Sequence, residues 1–288
     1  MSSADDEPTG GGRPDRPGPP ERRAARSQDR DRPGRARHHR DRRDESPAGP
    51  EAFWSGYDLL WEEERAGARR SPLDRARIVD AALRVADAEG LDAVTMRRVA
   101  RELRTGAMSL YRHVPGKEGL VSFMIDRALG ESAPPGEPSG DWRNDLRMLA
   151  STMWDFIVRH PWYPQAVAER PPVTPRGMAA FEFALSILDH TGLPLNDRGA
   201  IVVSITNTVL AAAQNAAAEA RARARFQMTD EQIASSVGTL LGDIMAGGAY
   251  PRVRDVLTST DRLEPKEEMQ VSVELILDGA AARIAAAT

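Results

Sequence analysis

The chain has 288 residues, a formal net charge of −4 and no cysteine. That length allows one large domain or two small ones with real cores, and the missing thiols exclude disulfides, thiolate metal sites and cysteine nucleophiles. The 39 basic and 43 acidic side chains argue against a protein that coats nucleic acid uniformly, while leaving room for a local basic face.

The first fifty residues contain "GGRPDRPGPPERRAARSQDRDRPGRARHHRDRRDE", rich in Gly, Pro, Arg and Asp and nearly free of large apolar side chains. Such a stretch buries too little surface to offset its ordering entropy, so residues 1–50 are expected to be a disordered tail. It is either a solvated polyampholyte or an arm that touches phosphates without reading sequence. The start is charged and proline-rich with no apolar h-region, and no apolar run reaches the roughly 18 residues of a membrane span. The expectation is a cytoplasmic protein with no membrane partner.

Residues 51–72 change character: Phe53, Trp54, Tyr57, Leu60 and Trp61 recur near helical spacing, predicting an arm with a short amphipathic helix whose aromatics something must cover. Ser71 and Pro72 then form a helix-entry signal. In "DRARIVDAALRVADAEG", Ile78, Ala82, Val85 and Ala86 share one stripe, and Gly90 is a natural stop. Thr95 is a good N-cap for "TMRRVAREL", with Val99 and Leu103 facing inward and Ala100 small enough for a crossing helix. After a tight turn comes "AMSLYRHV", with Leu110 and Val114 as its inward pair. A long helix bracing two short ones is a helix-turn-helix, whose second short helix can enter the major groove of DNA. Gly106, Ala107, Met108 and Ser109 would then face base edges, and Tyr111 and His113 would reach phosphates. Pro115 and Gly116 end that helix, and Lys117 opens the next one, where free N–H groups and an ammonium suit a phosphate.

The run "TMRRVARELRTGAMSLYRHVPGKEGL", preceded by "RIVDAALRVADAEGLDAV", resembles the DNA-binding region of the tetracycline-repressor (TetR) family of bacterial regulators across residues 75–129. "LLWEEERAGARRSP" resembles an arm that precedes this region in a subset of the family. The resemblance implies phosphate contacts at Thr95, Tyr111, His113 and Lys117 and base-facing positions at Arg97, Ala107, Met108 and Ser109; Arg98 and Arg112 complete the candidate interface with double-stranded operator DNA. There are two departures from the family pattern. Arg104 stands where the turn commonly has glycine, so it must avoid a left-handed conformation or bear its strain. Ala107 and Met108 offer no hydrogen bonds, which shifts base reading to Arg97, Ser109 and methyl contacts with thymine.

The helix-turn-helix is expected over residues 73–130 and a helical ligand-binding and dimerisation domain over 141–288, making the fold all-α. Leu146, Leu149, Met153 and Ile157 fall on one face, as do Met178, Phe181, Leu185 and Leu188. "NDRGAIVVSITNTVL" is apolar almost all round, predicting cover on more than one side. Met269, Val273, Ile276, Ala280 and Ile284 make a final stripe that no later segment encloses, which suggests a homodimer sharing one bundle.

No histidine pair sits at metal-ligand spacing, and no nucleophile elbow or Gly-rich phosphate loop occurs, so neither an enzyme nor a cofactor is expected. The expected function is a repressor released from its operator by a small organic effector. An architectural DNA-binding dimer without a ligand is the alternative, a helical enzyme a distant third; a cavity of roughly 300 Å³ or more separates the first two. The TetR-like resemblance also implies a loop near the ligand at "AERPPVTPRG". In the tetracycline repressor a histidine holds the drug's magnesium, and here "YPQAVAERPP" has Ala166 at that place; "ALGESAPPG" lacks a second expected histidine. The candidate ligand-binding residues are Leu149, Met153, Phe181, Ile201 and Ser204, with Arg170 as the one charge, a wall suited to an apolar or aromatic molecule bearing an anionic or carbonyl group.

Overall fold

The computed structural model describes residues 54, 56–65, 73–132, 136–227, 229, 232, 235–236, 238–239, 242, 248, 250–257 and 263–287. The tail, Phe53 and the helix-entry signal at residues 69–72 lie outside them. Among the described residues all regular elements are helical: α1 (Tyr57–Arg65), α2 (Leu73–Glu89), α3 (Met96–Glu102), α4 (Ala107–Leu110), α5 (Lys117–Leu129), α6 (Trp142–Arg159), α7 (Tyr163–Glu169), α8 (Pro175–Ser186), α9 (Leu195–Phe226), α10 (Pro251–Leu257) and α11 (Pro265–Ala287).

The reading head forms as its periodicity dictates. Ile78, Ala82, Val85 and Ala86 of α2 are buried against Val99 and Ala100 of α3 and Leu110 and Val114 around α4, with Leu103 half-buried beside them. Thr95 caps α3, its Oγ1 accepting from the Arg98 amide at 3.1 Å. The turn that follows is a Schellman-type end: Thr105 N donates to Ala100 O at 2.9 Å around Arg104, whose φ is 55°. Arg104 therefore adopts the left-handed conformation and bears its strain, at a cost of roughly 1–2 kcal/mol relative to glycine's free access.

Helix α5 is buried along nearly its whole length, because one side closes the reading head and the other receives α1, α7 and α8. The sequence boundary between residues 130 and 141 is thus not a boundary in packing. Asp126 of α5, itself buried, accepts from the Arg176 amide at 3.0 Å and from its guanidinium at 2.7 Å, which seats the start of α8. A second tie joins α2 to the α6–α7 corner. His160 is buried with Nδ1 2.8 Å from Asp87 and Nε2 3.3 Å from Glu131, while the Trp162 indole N–H donates to Asp87 at 2.7 Å.

The C-terminal core is the mutual packing of α6, α9 and α11. Leu146, Ala150, Trp154 and Ile157 meet Ile201, Val202, Ile205 and Val209, with Met269, Val273, Leu277 and Ala280 closing the third side. Two sequence expectations change here. One face of helix α11 packs against the earlier helices α6 and α9, so the stripe through Val273 is intrachain core, and Leu277 belongs to it in place of the half-buried Ile276. The first half of α9 is covered along one stripe within the single chain, with Leu195 and Val203 left exposed. By length and composition alone, α9 could cross a membrane. Its buried stripe packs against α6 and α11.

Candidate nucleic-acid interface and ligand region

The interface is built on a very short helix. α4 has only four residues, too few to persist alone, and is held between the α3 turn and α5 by buried Leu110 and Val114. Gly106 precedes it in an extended conformation and is exposed; Ala107 is half-buried against the core, and Met108 is 79% exposed. Ser109 is half-buried, while Tyr111 and Arg112 are exposed beyond it. His113 is half-buried, its carbonyl accepting from Arg75 Nε at 3.0 Å. Lys117 begins α5, and Thr95 and Arg97 lie exposed at the start of α3. These residues occupy one region of the reading head.

Arg98 is engaged within the chain. Its guanidinium donates to Glu89 at 2.6 and 3.1 Å and to Glu102 at 2.9 Å, bracing α3 against the end of α2. The Arg98 hydrogen bond holds the Glu89 carboxyl below its usual range, and the two carboxylates hold the guanidinium above its own. The i,i+4 spacing to Glu102 makes that part of the pairing local, and it braces α3 in the free protein.

Two residues that the sequence did not single out lie beside these candidates. Arg77 and Thr105 border a cleft of about 260 Å³ together with Ser109, Arg112 and His113. Arg77 follows from the helical stripe, since it is exposed next to buried Ile78 in α2. No local pattern announces Arg75, whose partners lie in the arm and at His113. Burial pulls its guanidinium below the ordinary arginine range.

The expected ligand wall does not assemble as a set. Leu149 and Met153 on α6 are half-buried and Ile201 on α9 is buried, but Phe181 is 39% exposed and Ser204 is exposed. In α8 Gly177 and Ala184 are buried, while Phe181, between them on the same stripe, is left partly uncovered within the single chain. Arg170 is 6% exposed and turned towards α5, where its Nε donates to Ser122 Oγ at 3.0 Å. Its guanidinium carbon lies 5.0 Å from the Tyr57 ring centroid. A cleft of about 650 Å³ opens elsewhere, between α9 and the start of α11, bordered by Thr208, Asn215, Glu219, Arg223, Glu268 and Ser272. Among the described residues, no group of acidic and histidine side chains has metal-binding geometry.

Comparison with known proteins agrees with this architecture. Residues 78–122 match the family described as bacterial regulatory proteins, tetR family, and residues 134–284 match the tetracyclin repressor-like C-terminal domain. The transcriptional repressor DrrR1 of Streptomyces coeruleorubidus is 34% identical over 226 residues, covering 77% of this chain and 83% of DrrR1. A transcriptional regulator of Saccharopolyspora erythraea is 28% identical over 165 residues, covering 57% of this chain and 67% of its own. Apo ActR from Streptomyces coelicolor superposes with a TM-score of 0.64 at 26% identity, covering 76% of this chain and all of ActR (100%). The ActR complex with actinorhodin gives 0.62 at 27% identity, over 74% of this chain and 99% of ActR. With matches to both of its characteristic domains and a relative similar over most of either length, the chain belongs to the TetR family of bacterial transcriptional regulators.

Proposed function

We propose that the protein is a cytoplasmic, homodimeric repressor that places two α4 helices in successive major-groove faces of an operator, about 34–36 Å apart or a multiple of that spacing. The observation that carries this reading is α4 itself. Four residues held from beneath by Leu110 and Val114 present Met108 to solvent, with Ser109, Arg112 and His113 beside a cleft of about 260 Å³. Arg97 and Ser109 read bases, Met108 and Ala107 meet thymine methyls, and Thr95, Tyr111, Arg112, His113 and Lys117 position the head on phosphates. Uncovered apolar side chains support the dimer: Leu195 and Val203 on α9, and Val271 and Leu275 on α11. A second copy is the simplest cover for both helices.

Release follows when a small organic effector enters the C-terminal helices and changes the separation of the two heads. The open cleft of about 650 Å³ between α9 and α11 is one place where such a molecule could lodge, apart from the candidate apolar contacts. ActR is known in complex with actinorhodin and with (S)-DNPA, which supports an organic effector here. Leu149, Met153 and Ile201 remain the candidate apolar contacts; Phe181 and Ser204 are exposed in the single chain, and Arg170 is engaged with Ser122. Ala166, fully buried in α7, offers a methyl group at the place that the family resemblance gives to a metal ligand, so a magnesium-chelated drug does not fit.

The test is displacement of a fluorescent duplex, selected by the protein from random DNA, using actinorhodin, (S)-DNPA, a panel of aromatic carboxylates and quinones, and tetracycline with or without magnesium. Release by an organic compound without metal supports the reading. Retention against the whole panel supports the architectural dimer, and release only by tetracycline with magnesium contradicts the effector class.

A further inference from the structure

Helix α1 touches both halves of the protein through directional bonds. On one side Tyr57 Oη donates to Pro171 O at 2.5 Å and Trp61 Nε1 donates to Val173 O at 3.1 Å, both in the loop between α7 and α8. On the other, Glu63 pairs with the guanidinium of Arg75 near the start of α2. Arg75 passes the connection on, because its Nε donates to the carbonyl of His113, at the end of the segment that carries α4.

Three features distinguish this path from general packing. Both loop contacts end on main-chain carbonyls, so a displacement of the loop moves the donors on α1 directly. The Arg75 bond also ends on a main-chain carbonyl, so it acts on the backbone of the reading segment and not on a side chain. Slack is small: Gly56 has φ +92°, and a Cβ there would lie 2.7 Å from the Cα of Gly119 in α5, so arm and head meet backbone to backbone. The Arg75 guanidinium is further fixed 5.0 Å from the Phe123 ring centroid.

We propose that Arg75 is a positioning residue for the reading helix and that α1 is the relay through which the loop at residues 170–174 sets its orientation. The relay supplies the physical link that effector release requires, and to that extent it rests on the function proposed above. Coupling along such a path is established only by non-additivity between its ends.

The experiment is a double-mutant cycle on the full chain with Trp61→Phe, Glu63→Gln, Arg75→Gln and the Trp61→Phe/Arg75→Gln pair. Two quantities are read: amide hydrogen exchange at residues 107–114 without DNA, and affinity for a duplex selected by the wild type. Glu63→Gln breaks only a partly exposed pair and keeps the cycle readable should Arg75→Gln fold poorly. The relay predicts faster exchange at residues 107–114 in every single variant, with affinity lowered about tenfold, the scale of one charge-assisted hydrogen bond. It also predicts that Trp61→Phe adds nothing once Arg75 is changed. Unchanged exchange at residues 107–114 in Trp61→Phe and Glu63→Gln, or effects that multiply in the pair, would overturn the relay. Should the wild type select no duplex, the DNA-reading function falls, and the exchange measurement alone decides whether α1 positions the helix.

Discussion

The Arg98 guanidinium donates to Glu89 at 2.6 Å across the junction of α2 and α3, while Arg97, one residue earlier, is exposed at the start of α3. On the proposed function, the adjacent arginines divide their labour. Arg97→Ala should cost about 1–3 kcal/mol of operator affinity and relax preference at one base pair. Arg98→Ala should leave the pattern of base preference intact and act through the seating of α3. A selection on randomised duplexes compares the two; equal loss of base preference from both variants would contradict the division.

Arg104 tests the cost of the turn. Replacement by glycine relieves a left-handed backbone but frees the unfolded chain, for a net gain of about 0.5–1 kcal/mol. Thermal unfolding of Arg104→Gly should therefore shift upward; a lower midpoint would mean that the arginine side chain compensates for its own strain.

Helix α11 separates folding from assembly. Val273→Asp places a charge in the core shared by α6, α9 and α11 and should destabilise the fold by several kcal/mol. Leu275 is 68% exposed in the single chain, so Leu275→Asp should keep the helical content while weakening the dimer. Sedimentation and circular dichroism together read the contrast. A Leu275→Asp chain that remains fully dimeric moves the interface off this face.

Much of this organisation was legible in the sequence because it depends on local periodicity. The α2 stripe, the Thr95 cap and the Leu110–Val114 pair follow from spacing along one helix. Phe181 and Val273 were misplaced because spacing gives a stripe without naming the neighbour that covers it. In α8 Gly177 and Ala184 are buried, yet Phe181 on the same stripe is 39% exposed, so periodicity found the face without showing how far a neighbour covers it. The partners that hold Arg170 and, in part, Arg98 were not legible, because Ser122 and Glu89 lie 48 and 9 positions away. Arg75 was passed over for the same reason.

Acid titration offers a check on the surface network between α6 and α11. Arg147 and Arg143 hydrogen-bond Glu274 and bring its carboxyl down to about 2 from 4.5. A depressed carboxylate contributes stability above its unfolded value, and the contribution disappears as pH falls through the folded one. The difference in melting temperature between wild type and Glu274→Gln should be small, present at neutral pH, and should shrink between pH 4.5 and about 2. A difference that grows with acidity would contradict the pairing.

The central claim is sequence-specific reading by two coupled heads, and the most direct measurement is affinity for the selected duplex beside random DNA across a salt series. The account predicts an inverted repeat with half-sites one helical turn or a multiple apart, and specific binding about 10³-fold or more tighter than non-specific binding. Inserting about five base pairs, half a helical turn, between the half-sites should abolish that advantage. Lys117→Ala should weaken all sequences alike and flatten the salt slope by about one unit. Selection that enriches no sequence, or equal affinity for the selected and random duplexes at every salt concentration, would contradict it.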